Sequence, residues 1–173
     1  MDPIKPSALL KSAKVQMWLS QMQPLEHFLD AVLHIVHPEL WTANTAAVDQ
    51  LVSQLSPSSP SWPTSFTGMD LIVNRVTPPH LDSGGAVTFY DHLLSLGFGH
   101  QATLDLDDFG AKFTYAPGTS VFLTGRVLTH SVPPWSGGER AVVAHYSKDD
   151  VHDRLGVPRP TLPTQLGFLA LFS

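Results

Sequence analysis

From Ser7 to about Gln54 the apolar residues return every three or four positions: Leu9, Leu10, Val15, Trp18, Leu19 and Met22, then Leu25, Phe28, Leu29, Val32, Leu33 and Val36. That spacing lines one face of a helix. Pro24 and Pro38 interrupt the stretch, and proline fits a first helical turn but breaks an interior, so the pattern predicts three helices, over 7–22, 25–36 and 39–54. A Ser/Pro-rich run then follows, from Ser56 to Pro63, and reads as an extended connector over 55–65. Beyond it the period changes. Short runs with strand character appear at Asp70–Val76, Ala86–Tyr90, Gln101–Leu106, Ala111–Tyr115, Ser120–Thr124 and Arg140–Tyr146, most of them separated by Gly and Pro clusters. Asp107-Asp108-Phe109-Gly110 reads as a hairpin turn, and Ala116-Pro117-Gly118-Thr119 as a turn into the next strand. The expected fold is α+β, with an N-terminal helical layer over 1–54 packed on one side of an antiparallel sandwich or barrel over 66–173.

Composition narrows the chemistry. With 173 residues, 43% hydrophobic and 14% charged, the chain can bury the core of one ordinary domain. It has no cysteine, so disulfides, thiolate metal sites and cysteine nucleophiles are excluded, and a metal must be held by nitrogen and oxygen. No stretch approaches the length of a membrane span, and Met1 to Lys14 lacks the apolar run of a signal peptide; an intracellular, soluble protein is expected. A formal charge of -5 argues against broad phosphate-driven adhesion to nucleic acid, though not against a pocket that reads one base.

His80-Leu81-Asp82 places two potential ligands at i and i+2, on one side of a strand end. His130 supplies a third, following Val127-Leu128 in an apolar strand expected to end at Ser131-Val132-Pro133-Pro134. Two imidazoles and one carboxylate leave positions on iron(II) open for oxygen and an oxidisable acid. Ten residues on, Arg140 opens the apolar run Ala141-Val142-Val143-Ala144. A guanidinium on such a strand needs an anionic partner, and its planar fork suits the far carboxylate of 2-oxoglutarate. Each residue alone has a plain structural alternative: a turn hydrogen bond for His80 and Asp82, a satisfied core histidine, or an Arg140–Glu139 pair. The four together point to an iron(II), 2-oxoglutarate-dependent oxygenase.

The same residues resemble a family. The stretch Val73-Asn74-Arg75-Val76-Thr77-Pro78-Pro79-His80-Leu81-Asp82-Ser83-Gly84-Gly85 is similar to the fungal TET/JBP-like dioxygenases, as are Phe113-x-Tyr115-x-Pro117-Gly118-Thr119, the Gly125–His130 segment and the run from His145 to Pro158. The resemblance spans about residues 66–158. It implies a double-stranded β-helix (jelly-roll) core, with iron(II), 2-oxoglutarate and O2 as cofactors. It also implies oxidation of a methylated nucleobase, 5-methylcytosine or N6-methyladenine, in DNA or RNA. On the matching motif positions His80, Asp82 and His130 take the metal and Arg140 the co-substrate. Without cysteine there is no counterpart of the cysteine-rich zinc region of animal TET enzymes.

Further candidates surround these four. Asn74 and Arg75 precede the first ligand closely enough to reach co-substrate or a substrate phosphate, Asn74 being assigned to the co-substrate. Tyr146 shares a strand face with Arg140 by parity, which His145 does not, and could stack on a base. Trp135, Tyr90 and Phe89 are aromatic candidates for a base pocket, Phe89 fitting the core better. His27, His34 and His37, and Asp105, Asp107 and Asp108, read as helix and hairpin residues rather than a second metal site. Two other functions stay open on these residues: a small-molecule hydroxylase with the same cofactors, favoured by the acidic charge, and a catalytically silent β-barrel that binds partners.

Overall fold

The computed structural model describes residues 7–54 and 61–170, so 1–6 of the expected helical layer and 55–60 of the expected connector lie outside the described residues. The described residues form two compact units: one takes in those up to Phe66 and again from His152, and the other runs from Thr67 to Val151. The stretch from His152 onward, expected from the sequence in the β-rich core, groups with the helices.

In the first unit a short 3-10 turn, Ala8–Lys11, leads into α1, Ala13–Val36, and α2, Pro38–Ser53. The expected break at Pro24 does not occur, and α1 runs through it. The reason lies in its buried seam. Leu19 precedes the proline, and Glu26, Leu29 and Leu33 follow it at helical spacing, so burial of one continuous face outweighs the hydrogen bond that proline cannot make. Pro38 does separate two helices. It occupies the first turn of α2, where its missing N–H has no intrahelical acceptor in any case, and His37 Nδ1 accepts the Leu40 N–H at 3.3 Å to cap it. Ala43 and Ala47 of α2 pack with Val157 and Leu155. The segment before the β-rich unit is tied to α1 by Asp30, whose carboxylate accepts from the Ser65 N–H at 3.0 Å, the Ser65 hydroxyl at 2.8 Å and the Thr64 hydroxyl at 3.2 Å. Among the described residues no helix is long and apolar enough to cross a membrane.

The second unit holds two four-stranded antiparallel sheets. The first contains β1 (Gly68–Val73), β3 (Asp91–Phe98), β6 (Ser120–Leu123) and β8 (Glu139–Tyr146), in the order β1-β8-β3-β6. The second contains β2 (Thr77–His80), β4 (Thr103–Leu106), β5 (Ala111–Thr114) and β7 (His130–Val132), in the order β2-β7-β4-β5. Two short helices complete the chain, α3 (Asp149–Leu155) and α4 (Gln165–Ala170). Ala102, Leu104, Tyr115, Val132 and Val142 form the core of the second unit, with Ile72, Leu93 and Val121 packed against them. Side chains of both sheets therefore meet face to face, as in a sandwich.

Three strands differ from the expectation. The run at Ala86–Tyr90 is not a strand, and β3 begins just after it. β2 carries Pro78 and Pro79, which is tolerated because β2 is the edge of its sheet and a proline N can face away from the ladder. Val127 and Leu128 lie in a turn closed by their N–H groups on the Thr124 carbonyl, and the strand proper starts at His130.

Loss of the Asp30 tie should register as stability. Asp30→Ala removes every acceptor from the Ser65 N–H and hydroxyl and should lower unfolding free energy by about 1–3 kcal/mol, the usual cost of stranding half-buried donors. Urea denaturation of the variant against wild type measures it.

Candidate metal and co-substrate site

His80 and His130 are direct partners across the β2–β7 pair, and the register slips by one residue between Thr77 and His80. Such a bulge turns a side chain out of the regular alternation. It leaves the two imidazoles with ring centres 4.3 Å apart. Asp82, two residues past the end of β2, is fixed by its own N–H on the Gly125 carbonyl at 2.9 Å. Its carboxylate oxygens stand 3.5 Å from His80 Nε2 and 3.6 Å from His130 Nε2. One ligand atom from each residue falls within 4.8 Å of the others, and this is the one such group among the described residues.

The tautomers suit a metal. His80 Nδ1 lies 3.0 Å from the Pro78 carbonyl oxygen and 3.1 Å from that of His130, and His130 Nδ1 lies 3.0 Å from the Leu128 carbonyl oxygen. Carbonyl oxygens only accept, so both Nδ1 atoms carry the proton and both Nε2 lone pairs point toward Asp82. Two neutral imidazole nitrogens and one carboxylate oxygen are a donor set that fits iron(II). A second carboxylate, Asp91, lies beside Gly125 as well. Burial pushes it up to about 7, the charge of Asp82 adds to the rise, and the Gly125 N–H opposes it. A Cβ on Gly125 would collide with both the Asp82 and the Asp91 carboxylates.

Arg140 is buried near one end of β8, 3% exposed. Its backbone is held by Asn74, the residue after β1: the Asn74 N–H donates to the Arg140 carbonyl at 2.8 Å, and the Arg140 N–H donates to Asn74 Oδ1 at 2.9 Å. Asn74 does this with a φ of 50°, a left-handed conformation that asparagine tolerates better than most residues. The guanidinium donates from Nη1 to the Arg75 carbonyl at 3.3 Å and lies 5.1 Å from the Tyr115 ring centre and 5.6 Å from that of Trp135. Among the described residues no carboxylate pairs with it, and its Nε has no acceptor. Burial accordingly lowers its pKa, with Tyr115 opposing.

One cavity of about 500 Å³ joins these groups, within the usual size of a small-molecule site. His80, Asp82, His130, Arg140, Arg75 and Tyr146 line it; Asn74, Trp135 and Tyr90 do not. Asn74 acts on the Arg140 backbone, and Trp135 on its guanidinium. Tyr146 lies across Gly68 of the neighbouring strand, where a Cβ would strike its ring, with the Lys148 ammonium 5.9 Å from the ring centre and Asp70 beside its hydroxyl. Phe89 is core, 1% exposed. His34 stacks on Trp41 with ring centres 4.2 Å apart, and Asp105 pairs with Lys112 at 2.7 Å. Sequence reasoning missed Tyr115, Asp91, Asp70 and Lys148 as lining residues. Lys148 follows Tyr146 by two, so the parity that selected Tyr146 reaches it, whereas nothing local marks Tyr115 or Asp91.

Comparison with known proteins bears on the family and the fold. The family model Tet_JBP, the oxygenase domain of the 2OGFeDO superfamily, matches residues 2–149. The structure of NgTET1 in complex with 5mC DNA is similar at a TM-score of 0.62 and 18% identity, over 96% of this chain and 62% of that one; the chain thus spans less than two thirds of that protein. None of the curated proteins matches the sequence.

The crowding at Gly125 makes a test. Gly125→Ala should displace Asp82 and weaken Mn(II) or Fe(II) binding by about tenfold or more, the range seen when support of a metal ligand is disturbed. Asp91→Ala in the same chain should restore part of the loss by making room. Calorimetric metal titrations of both variants check it.

Proposed function

Because the chain belongs to the Tet_JBP family, the oxygenase domain of the 2OGFeDO superfamily, we propose that it oxidises a methylated nucleobase, 5-methylcytosine or N6-methyladenine, in DNA or RNA. Membership carries iron(II), 2-oxoglutarate and dioxygen as cofactors. In our reading His80, Asp82 and His130 hold the iron, and Arg140 holds the far carboxylate of 2-oxoglutarate. The observation that carries it is a buried guanidinium with no acid partner among the described residues, on the wall of the same cavity as a His-Asp-His cluster. An unpaired buried charge is expensive, and a dicarboxylate whose other end chelates the metal neutralises it.

The two sheets favour a double-stranded β-helix. Successive strands change sheet at every connection except β4 to β5, and the orders β1-β8-β3-β6 and β2-β7-β4-β5 are those of an eight-stranded jelly roll. Its inner faces then wall the cavity.

When bound, iron(II), 2-oxoglutarate and dioxygen supply the oxidising chemistry, one oxygen atom entering a substrate C–H bond and the other leaving in succinate as carbon dioxide is lost. The chain supplies position. His80 and His130, with protons fixed on Nδ1, present lone pairs to the metal. Asp82 balances part of its charge, and Arg140 with Asn74 behind it fixes the co-substrate. Tyr146, packed against Gly68 on the cavity wall, offers a ring on which a flipped base can stack, and the 5mC DNA bound by NgTET1 makes 5-methylcytosine the first base to try. A second reading, a small-molecule hydroxylase with the same cofactors, is favoured by the net charge of -5, which gives little general attraction for phosphates.

Oligonucleotides with a single 5-methylcytosine or N6-methyladenine, supplied with iron(II), 2-oxoglutarate and air, should gain one oxygen at the methyl group in step with succinate release. His130→Ala should abolish both, and Tyr146→Ala should raise KM about tenfold, within the range of about 1–3 kcal/mol for stacking one base. Mass spectrometry of the digested nucleosides reads the product. Succinate formation stimulated by small molecules and by no oligonucleotide would support the second reading instead.

A further inference from the structure

The turn between β4 and β5 is bound to the segment that delivers His130. It is a 3-10 stretch, Asp107–Phe109, closed by Gly110, whose φ of 60° lets its N–H return to the Asp107 carbonyl at 3.1 Å. Three hydrogen bonds tie it to Thr129, the residue before His130. The Asp107 N–H donates to the Thr129 carbonyl at 3.0 Å, the Thr129 N–H donates to Asp108 Oδ2 at 2.5 Å, and the Thr129 hydroxyl donates to Asp108 Oδ1 at 3.4 Å. A backbone N–H on a carboxylate is a charge-assisted bond. Asp108 is itself exposed, so its side chain belongs to the surface while its acceptor oxygens face inward to Thr129.

What the bond does follows from covalent geometry. The Thr129 N–H and the Leu128 carbonyl belong to one peptide unit, planar and trans, so they point in opposite directions from the same plate. The Leu128 carbonyl is the acceptor of His130 Nδ1 at 3.0 Å. Asp108, by holding the N–H, therefore sets the plane in which that carbonyl meets the imidazole. It also polarises the unit, because an anion at the N–H end makes the oxygen at the other end a stronger acceptor. The peptide precedes β7, whose pairing with β4 begins at His130 and Leu106, so the sheet ladder does not orient it. The result is a chain of carboxylate, peptide and imidazole that ends on His130 Nε2, 3.6 Å from Asp82 Oδ2. His80 is held differently, its Nδ1 lying between the carbonyls of Pro78 and His130.

We propose that Asp108 is a positioning residue for the metal centre: by holding the Leu128–Thr129 peptide it keeps His130 as the Nδ1–H tautomer and aims the Nε2 lone pair at the metal. This rests on the reading of His130 as a ligand. A partner of a metal-bound imidazole fixes both the tautomer and the ring orientation and raises the basicity of the ligating nitrogen. Here the carboxylate does so through one peptide unit, and the surface turn thereby acts on a ligand that is 5% exposed.

Two measurements test it: long-range proton–nitrogen NMR of the metal-free protein labelled at histidine, which reads each tautomer, and calorimetric titration with Mn(II). Asp108→Ala should move His130 from the Nδ1–H form toward a mixture of tautomers. It should also raise the Kd for Mn(II) by about threefold to tenfold, short of the effect of about tenfold to a hundredfold for a direct partner of a ligand. Asp108→Asn, which keeps an acceptor oxygen for the Thr129 N–H, should restore most of both losses, and the His80 tautomer should be unchanged in either variant. An Asp108→Ala protein with the wild-type His130 tautomer and Mn(II) affinity would overturn the proposal, as would a lower melting temperature with both of those retained, which would mark a tie for the hairpin alone. A Kd for Mn(II) indifferent to His130→Ala would overturn the ligand reading and this proposal with it.

Discussion

A positive charge shut inside an apolar wall is the constraint around which the β-rich unit is arranged. Arg140 is 3% exposed, and the effective cost of burying an unpaired ion is several kcal/mol even after relaxation. The fold bears this by rigidity on every other side. β8 is hydrogen-bonded to β1 along one edge and β3 along the other, Asn74 closes the β1 ladder onto the Arg140 backbone, and two aromatic rings flank the guanidinium. Held this way, the cation cannot swing out to water to relieve its own charge. It lines the cavity.

The His80-Asp82-His130 group depends on the opposite device, an edge rather than a centre. β2 is a short, proline-rich edge strand and β7 has three residues, yet their slipped register sets His80 across from His130 and delivers Asp82 beyond the strand end. Backbone carbonyls then fix the tautomers, and Gly125, by having no side chain, lets the carboxylate sit where both imidazoles face it. A rigid sheet centre for Arg140 and an irregular edge for the His-Asp-His group is the division of labour that the proposed chemistry, with open positions at a metal and a fixed co-substrate, would need.

Much of this was legible in the sequence, for reasons that differ by element. His80, Asp82, His130 and Arg140 stand out because two imidazoles, a carboxylate and a guanidinium fall together at a spacing that ligand chemistry can use, and parity alone put Tyr146 on the face of Arg140. The helical seam was visible, but Pro24 misled, since local propensity cannot weigh the burial of Leu19, Leu29 and Leu33 on both sides of it. β3 was hidden by its composition, Asp91-His92-Leu93-Leu94-Ser95-Leu96-Gly97-Phe98, whose buried His92 and Ser95 are accommodated through bonds to Ser120, His145 and Tyr115 far along the chain. Tyr115 and Gly125 matter only through neighbours that the fold brings to them.

The most direct test of the account is spectroscopic. Purified protein mixed anaerobically with iron(II) and 2-oxoglutarate should develop the weak visible charge-transfer band of the chelated acid. The band should be lost in His130→Ala and require far more 2-oxoglutarate in Arg140→Ala, whose iron binding should be retained. Well-folded wild type with no band, or a band indifferent to both substitutions, would contradict the claim that these side chains form one iron and 2-oxoglutarate site.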